Sequence, residues 1–105
     1  MMETKLEAFR ALLETEQRAR LAADGISQAV LDHDAYRARI KAGRKYANVD
    51  FGGSGKYMVV LETGEIYGIK AYGVIHRGHY FDTLDTINDW YWGEYRAFRR
   101  QPKAA

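Results

Sequence analysis

Cysteine is absent from the 105-residue chain. That excludes disulfides, a thiolate nucleophile and any cysteine-ligated metal, and it suits a reducing compartment. Long apolar runs are missing too. No stretch approaches the roughly 18 residues of a membrane span, and the charged N-terminal segment lacks the apolar core of a signal peptide. A large excess of one charge is also missing: 16 Lys and Arg against 14 Asp and Glu give +2, too little by itself to imply a nucleic acid or a membrane. Apolar residues at 47% and charged residues at 29% exclude a wholly disordered chain. Neither repeats nor low-complexity segments occur. We expect one cytoplasmic domain spanning 1–105.

What is present in excess is aromatic. There are 8 Tyr, 4 Phe and 2 Trp, most of them after residue 45. Charge is also segregated. Residues 1–34 are net acidic, Arg37, Arg39, Lys41, Arg44 and Lys45 follow without an acid among them, residues 46–95 are net acidic again, and Arg96, Arg99, Arg100 and Lys103 close the chain. Two basic blocks, 37–45 and 96–103, therefore flank an acidic, aromatic middle. They serve either as an anion-binding surface or as a helix C-terminus and a solvated tail.

The first third reads as helical. Thr4-x-x-Glu7 fits a capping box, and Leu6, Phe9, Leu12 and Leu13 follow at helical spacing. Glu14 and Arg18, and Glu16 and Arg20, are spaced for ion pairs along the helix. With Gly25 as a stop, the spacing predicts a helix over about 4–23. Ser27 is placed to cap a second helix with Val30, Leu31, Ala35 and Ile40 inward and Gly43 at its end. The pair makes a helical hairpin over 1–43.

Beyond Gly43 the period becomes two. Ala47, Val49 and Phe51 alternate with polar residues, and residues 57–61 are continuously apolar, as in a central strand. Glu62-Thr63-Gly64-Glu65 reads as a hairpin turn with residues 66–72 returning. Gly73 reads as a bulge before Val74, Ile75 and His76. Asp82 or Thr83 caps a short helix with Leu84, Ile87 and Tyr91 inward, and residues 95–100 form a last strand. The expected fold is α+β, with the hairpin packed on a mainly antiparallel sheet of four to five strands over 44–100, one short helix before the last strand, and a tail at 101–105.

Candidate chemistry is thin. Phe51-Gly-Gly-Ser-Gly-Lys56 resembles a phosphate-binding loop, but Asp50 and Tyr57 stand where the motif needs Gly and Ser or Thr, and a strand follows rather than a helix. His76, His79 and Asp82 are the residue types of a zinc or iron site, although the intervening Arg77-Gly78 looks like a turn. Asp82 and Asp85 are explained by the start of a helix. No serine sits in a nucleophile context. We therefore expect neither a catalytic residue nor a cofactor nor a resident metal; a small histidine- or metal-dependent enzyme ranks third among the readings.

Trp90, Tyr91 and Trp92 are consecutive, so on a helix they cannot all face one way. Trp90, Trp92 and Tyr95 are accordingly candidates for a partner-binding surface. Arg96, Arg99 and Arg100 beside these rings, with Arg37, Arg39, Lys41, Arg44 and Lys45, are candidates for contacts with single-stranded nucleic acid.

Residues 55–59, 63–79 and 83–87 (Gly55-Lys-Tyr-Met-Val, Thr63-Gly-Glu-Ile-Tyr-Gly-Ile-Lys-Ala-Tyr-Gly-Val-Ile-His-Arg-Gly-His79 and Thr83-Leu-Asp-Thr-Ile87) give the middle of the chain its character. Over about residues 45–95 it resembles small proteins of unassigned function from tailed phages and prophage-like elements. The resemblance implies an accessory factor that binds a host or phage macromolecule, and it carries no residue roles. Two functions are expected from these readings. One is a non-enzymatic module binding a nucleic acid or nucleoprotein through the basic blocks. The other is a binder or inhibitor of a protein partner, or a self-associating protein, through the aromatics at 90–98.

Overall fold

A computed structural model describes residues 2–100. The basic Lys103 and the tail 101–105 lie outside the described residues. The architecture is α+β: one long helix packed on a five-stranded antiparallel sheet, with a small two-stranded sheet beside it.

Helix α1 runs Met2–Ala23 and buries a single stripe, Leu6, Phe9, Leu13 and Gln17, spaced three to four residues apart. It begins before Thr4, so the expected cap lies inside the helix and Glu7 is held by Arg10 instead, at 2.5 Å. A one-turn helix, α2 (Gln28–Leu31), follows; Ser27 caps it as expected, accepting a hydrogen bond from Val30 N–H at 3.3 Å.

The second helix expected over 27–42 ends there. Ala38–Ala42 is instead strand β1, at the edge of the sheet. Val30 is exposed, whereas Ala38 pairs with Phe51 and Ile40 with Val49 on β2 (Tyr46–Phe51). Five consecutive pairings with β2 outweigh the weak helical stripe in this segment.

The sheet order β1-β2-β3-β4-β5 is a simple meander, with β3 (Ser54–Val60) central, β4 Glu65–Ala71 and β5 Val74–Thr83. The Gly52-Gly53 turn has φ of 62° and 82° at its two positions, the left-handed geometry a two-residue hairpin needs. It is a tight turn rather than a phosphate cradle. Gly73, expected as a bulge, lies in the turn between β4 and β5. The helix expected before the last strand is a short 3-10 segment, Leu84–Asp89, capped by Thr83 through Asp85 N–H. From Trp90 the backbone is extended, and β6 (Trp90–Tyr91) pairs with β7 (Phe98–Arg99).

The core lies between α1 and one face of the sheet. Phe9, Tyr57, Phe81 and Trp92 form its aromatic centre, with Phe9 and Trp92 centroids 4.6 Å apart and Tyr57 and Trp92 5.1 Å apart. Edge-to-face pairs of this kind add to the burial of large rings. Polar side chains of α1 tie in the chain ends around this centre. Glu14 accepts from Ala38 N–H at 2.9 Å, Glu16 from Trp92 N–H at 2.9 Å, and Gln17 donates to Trp92 C=O at 2.6 Å and to Glu94 C=O at 3.1 Å. The pairs expected along the helix with Arg18 and Arg20 do not form: Glu14 pairs with Arg10 at 3.2 Å and Glu16 with Arg100, and both carboxylates also accept from backbone N–H groups across the fold.

Burial pushes the Tyr57 hydroxyl up to about 12, against the opposing hydrogen bond it accepts from Ala97 N–H at 3.2 Å. Folding thus favours the neutral phenol. The stability this group contributes is intact below pH 10, its ordinary value, and is lost as pH rises towards 12. Denaturant titrations at about pH 9 and about pH 11.5 should differ by about 2 kcal/mol more in the wild type than in Tyr57→Phe.

Candidate functional site

The sheet is not evenly zipped. Between β3 and β4 only Met58 pairs with Tyr67 and Val59 with Ile66, so the first half of β3 and the second half of β4 diverge. Two irregularities accompany the split. Val49 pairs with Tyr57 but Asp50 with Gly55, which leaves Lys56 unmatched in a bulge. On β5, Tyr67 pairs with Tyr80 but Gly68 with His76, so residues 77–79 are extruded. Gly68 accommodates this, since a Cβ there would lie 3.0 Å from His79 Cβ.

The split opens a cleft of about 360 Å³. Residues 54–57 form one wall, Gly68 and Ile69 the other, and His79, Phe81, Tyr95 and Arg96 complete the lining. Three of these side chains are basic, Lys56, His79 and Arg96, and among the described residues no acidic one lines the cleft. Among the described residues none of the three has a carboxylate within ion-pairing distance. Lys56 lies 5.1 Å from the centroid of the Tyr95 ring, and that ring is 92% exposed. Burial lowers the Lys56 pKa. It also lowers that of His79, with further contributions from the positive charge of Arg96 and from His76. Such a cleft attracts anions, and its exposed ring offers a flat apolar surface.

The sequence candidates are distributed unevenly over this geometry. Among the described residues of the second basic block, only Arg96 reaches the cleft. Arg99 pairs with Asp82 at 2.6 Å, and Arg100 pairs with Glu16 and donates to Trp90 C=O at 3.1 Å. In the first block, Arg37 pairs with Glu14 at 3.8 Å. Glu14 and Glu16 stand two residues apart on α1, about 200° around the helix, so Arg37 and Arg100 are held on opposite flanks. Arg39 and Lys41 are exposed on β1, opposite Asp50 and Asn48, on the sheet face turned away from α1. Arg44 and Lys45 are exposed in the β1–β2 turn.

The aromatic candidates need a sharper correction. Trp92 is completely buried and its Nε1 donates to Ile87 C=O at 2.9 Å, so it is a core residue and not a contact surface. Trp90 is half-buried, donating from Nε1 to Asp82 Oδ2 at 2.9 Å. The reason is the extended backbone after Asp89: residues two apart on a strand face the same way, and here that way is inward. Of the three, Tyr95 alone is largely exposed.

His76 and His79 stack, with ring centroids 3.9 Å apart and planes 4° from parallel. Gly78 N–H donates to His76 Nδ1 at 3.1 Å. Asp82 is turned to Trp90 and Arg99 and does not join them. Among the described residues no three His, Asp or Glu side chains converge as a metal site would require.

Sequence reading missed Lys56 and His79 as cleft residues. In the sequence Lys56 only ends a broken phosphate-loop pattern, and a bulge that re-aims a side chain leaves no local signature. Among the described residues no helix is long and apolar enough to cross a membrane. No protein-family model, curated protein or solved structure matches the chain.

Proposed function

We propose that this domain is a non-enzymatic binding module that takes a single-stranded nucleic acid into the β3–β4 cleft. The observation that carries the reading is the set of Lys56, His79 and Arg96 around one concavity, without carboxylate partners, beside the exposed Tyr95 ring. Phosphates pair with Lys56 and Arg96, and a base stacks on Tyr95. A duplex, whose bases are stacked internally, gains nothing from that ring. Arg99 and Arg100, engaged by Asp82 and Glu16, drop out of the binding set; Arg39, Lys41, Arg44 and Lys45 stay as outer contacts.

The test is a titration with labelled single- and double-stranded DNA and RNA at low and physiological salt. Single strands should bind more tightly, with log K falling by about 0.7 per tenfold rise in salt for each phosphate held. Binding that ignores salt, or no binding at all, would overturn the reading. Salt-insensitive capture would favour the second reading, a protein partner docking on Tyr95 and Phe98, which are 92% and 51% exposed.

A further inference from the structure

A second concavity, about 540 Å³ in volume, opens where the β1–β2 turn meets the end of β3. Arg44 and Lys45 on the turn and Arg77 from the β5 bulge contribute to its lining, and Glu62 is the one acid among the described residues there. Among the described residues none of the three cations is ion-paired.

The turn that carries Arg44 and Lys45 has a fixed backbone, and the Arg77 guanidinium is itself held. Gly43 N–H bonds to Tyr46 C=O at 2.8 Å and Leu61 N–H to Lys45 C=O at 2.9 Å, which fixes the turn. Arg77 donates to Tyr46 Oη at 3.3 Å, and its guanidinium sits 5.5 Å from the Tyr67 ring centroid. Donors already in place lose less freedom when an anion arrives.

The two concavities share structural elements. Residues 54–57 of β3 wall the first and Val60 of the same strand lines the second. At about 3.3 Å per residue, they are about 10–20 Å apart along the strand. The extruded segment 77–79 joins them from above, sending His79 to one and Arg77 to the other. Along the strands, Tyr67 pairs with Met58, between residues 54–57 and Val60, and its ring centroid is 5.3 Å from that of Tyr80, which is 44% exposed. Arg77, Tyr67 and Tyr80 therefore adjoin one another beside the second concavity.

Resting on the cleft reading above, we propose that Arg44, Lys45 and Arg77 form a second phosphate subsite, so that the bound species is a strand several nucleotides long, passing over Tyr80, and not a single nucleotide. Three cations with one acid favour a polyanion, and the adjoining ring favours bases over acidic side chains.

The experiment compares 5′-labelled oligo(dT) of two and eight nucleotides, by fluorescence anisotropy across a salt series, on the wild type, Arg77→Ala and the Arg44→Ala/Lys45→Ala double variant. All three substituted residues are exposed, and circular dichroism checks the fold of each variant. For the wild type the salt slope should be steeper with the eight-nucleotide probe, by about 0.7 for each additional phosphate held. Each variant should lose about tenfold in affinity for that probe, the worth of a charge-assisted contact, and change little with the two-nucleotide probe. Equal slopes for the two probes, or variants matching the wild type on the longer one, would overturn the second subsite while leaving the cleft standing. Failure of both probes to bind the wild type overturns both. Displacement of the longer probe by polyglutamate at equal charge concentration would overturn the proposal in favour of an acidic protein partner.

Discussion

Trp92→Ala is expected to destabilise the domain by about 3–5 kcal/mol, the usual cost of truncating a fully buried large aromatic. The side chain is completely enclosed, touches Phe9, Tyr57 and Phe81, and donates to the Ile87 carbonyl. Its loss leaves a cavity at the centre of the core and removes one of the two hydrogen bonds to that carbonyl, which keeps the Trp90 N–H. For a domain of this size the loss is a large fraction of the 5–15 kcal/mol that usually holds a fold together. Thermal denaturation followed by circular dichroism should show a midpoint lowered by well over 10 °C, or no cooperative transition. A variant as stable as the wild type would mean that Trp92 is not in the core. The substitution also separates two meanings of lost binding. If Trp92 were a contact residue, affinity would fall while the midpoint stayed put.

The second large effect concerns the cleft. Lys56→Glu with Arg96→Glu should lower affinity for single-stranded probes about 100-fold or more, since each reversal removes a charge-assisted contact and adds repulsion. The fold should survive, because Arg96 is exposed and Lys56 lies at a bulge in contact with the exposed Tyr95 ring. Arg99→Glu with Arg100→Glu makes the contrast. Those side chains hold Asp82 and Glu16, so their reversal should cost stability and leave affinity per folded molecule within a few-fold. Were the second pair instead to abolish binding at full stability, the site would lie along the C-terminal block and not in the cleft.

Much of this fold is legible in the sequence, and the reasons are local. Leu6, Phe9 and Leu13 declare α1, and the Gly-Gly and Thr-Gly turns punctuate a meander whose central strand is continuously apolar. The segment 28–42 is harder. Ala35 and Ile40 fit a helical face as readily as Ala38 and Ile40 fit a strand face, and the choice is made by the free edge of β2, a partner no local window contains. The cleft is the least legible feature. It exists because Lys56 and residues 77–79 fall out of register, and register is set by pairing across the sheet rather than by the residues that slip. Lys56, the residue we place at the centre of the site, stood in the sequence as the end of a motif that failed.

Helix α1 carries a consequence for the order of events in folding. Gln17 bonds residues 75 and 77 positions away, and Glu16 bonds residues 76 and 84 positions away. The helix leaves the ribosome before the segments that its polar side chains bond. Until Trp92 arrives, Phe9 lacks its nearest ring and the helix has an unclosed side. Closing such long loops is slow compared with forming the hairpins of the meander. The strands therefore zip early and the final step seats the helix and the 90–100 segment together, so that a chain arrested before Trp92 presents Phe9 and Leu13 to whatever hydrophobic surface or chaperone is near.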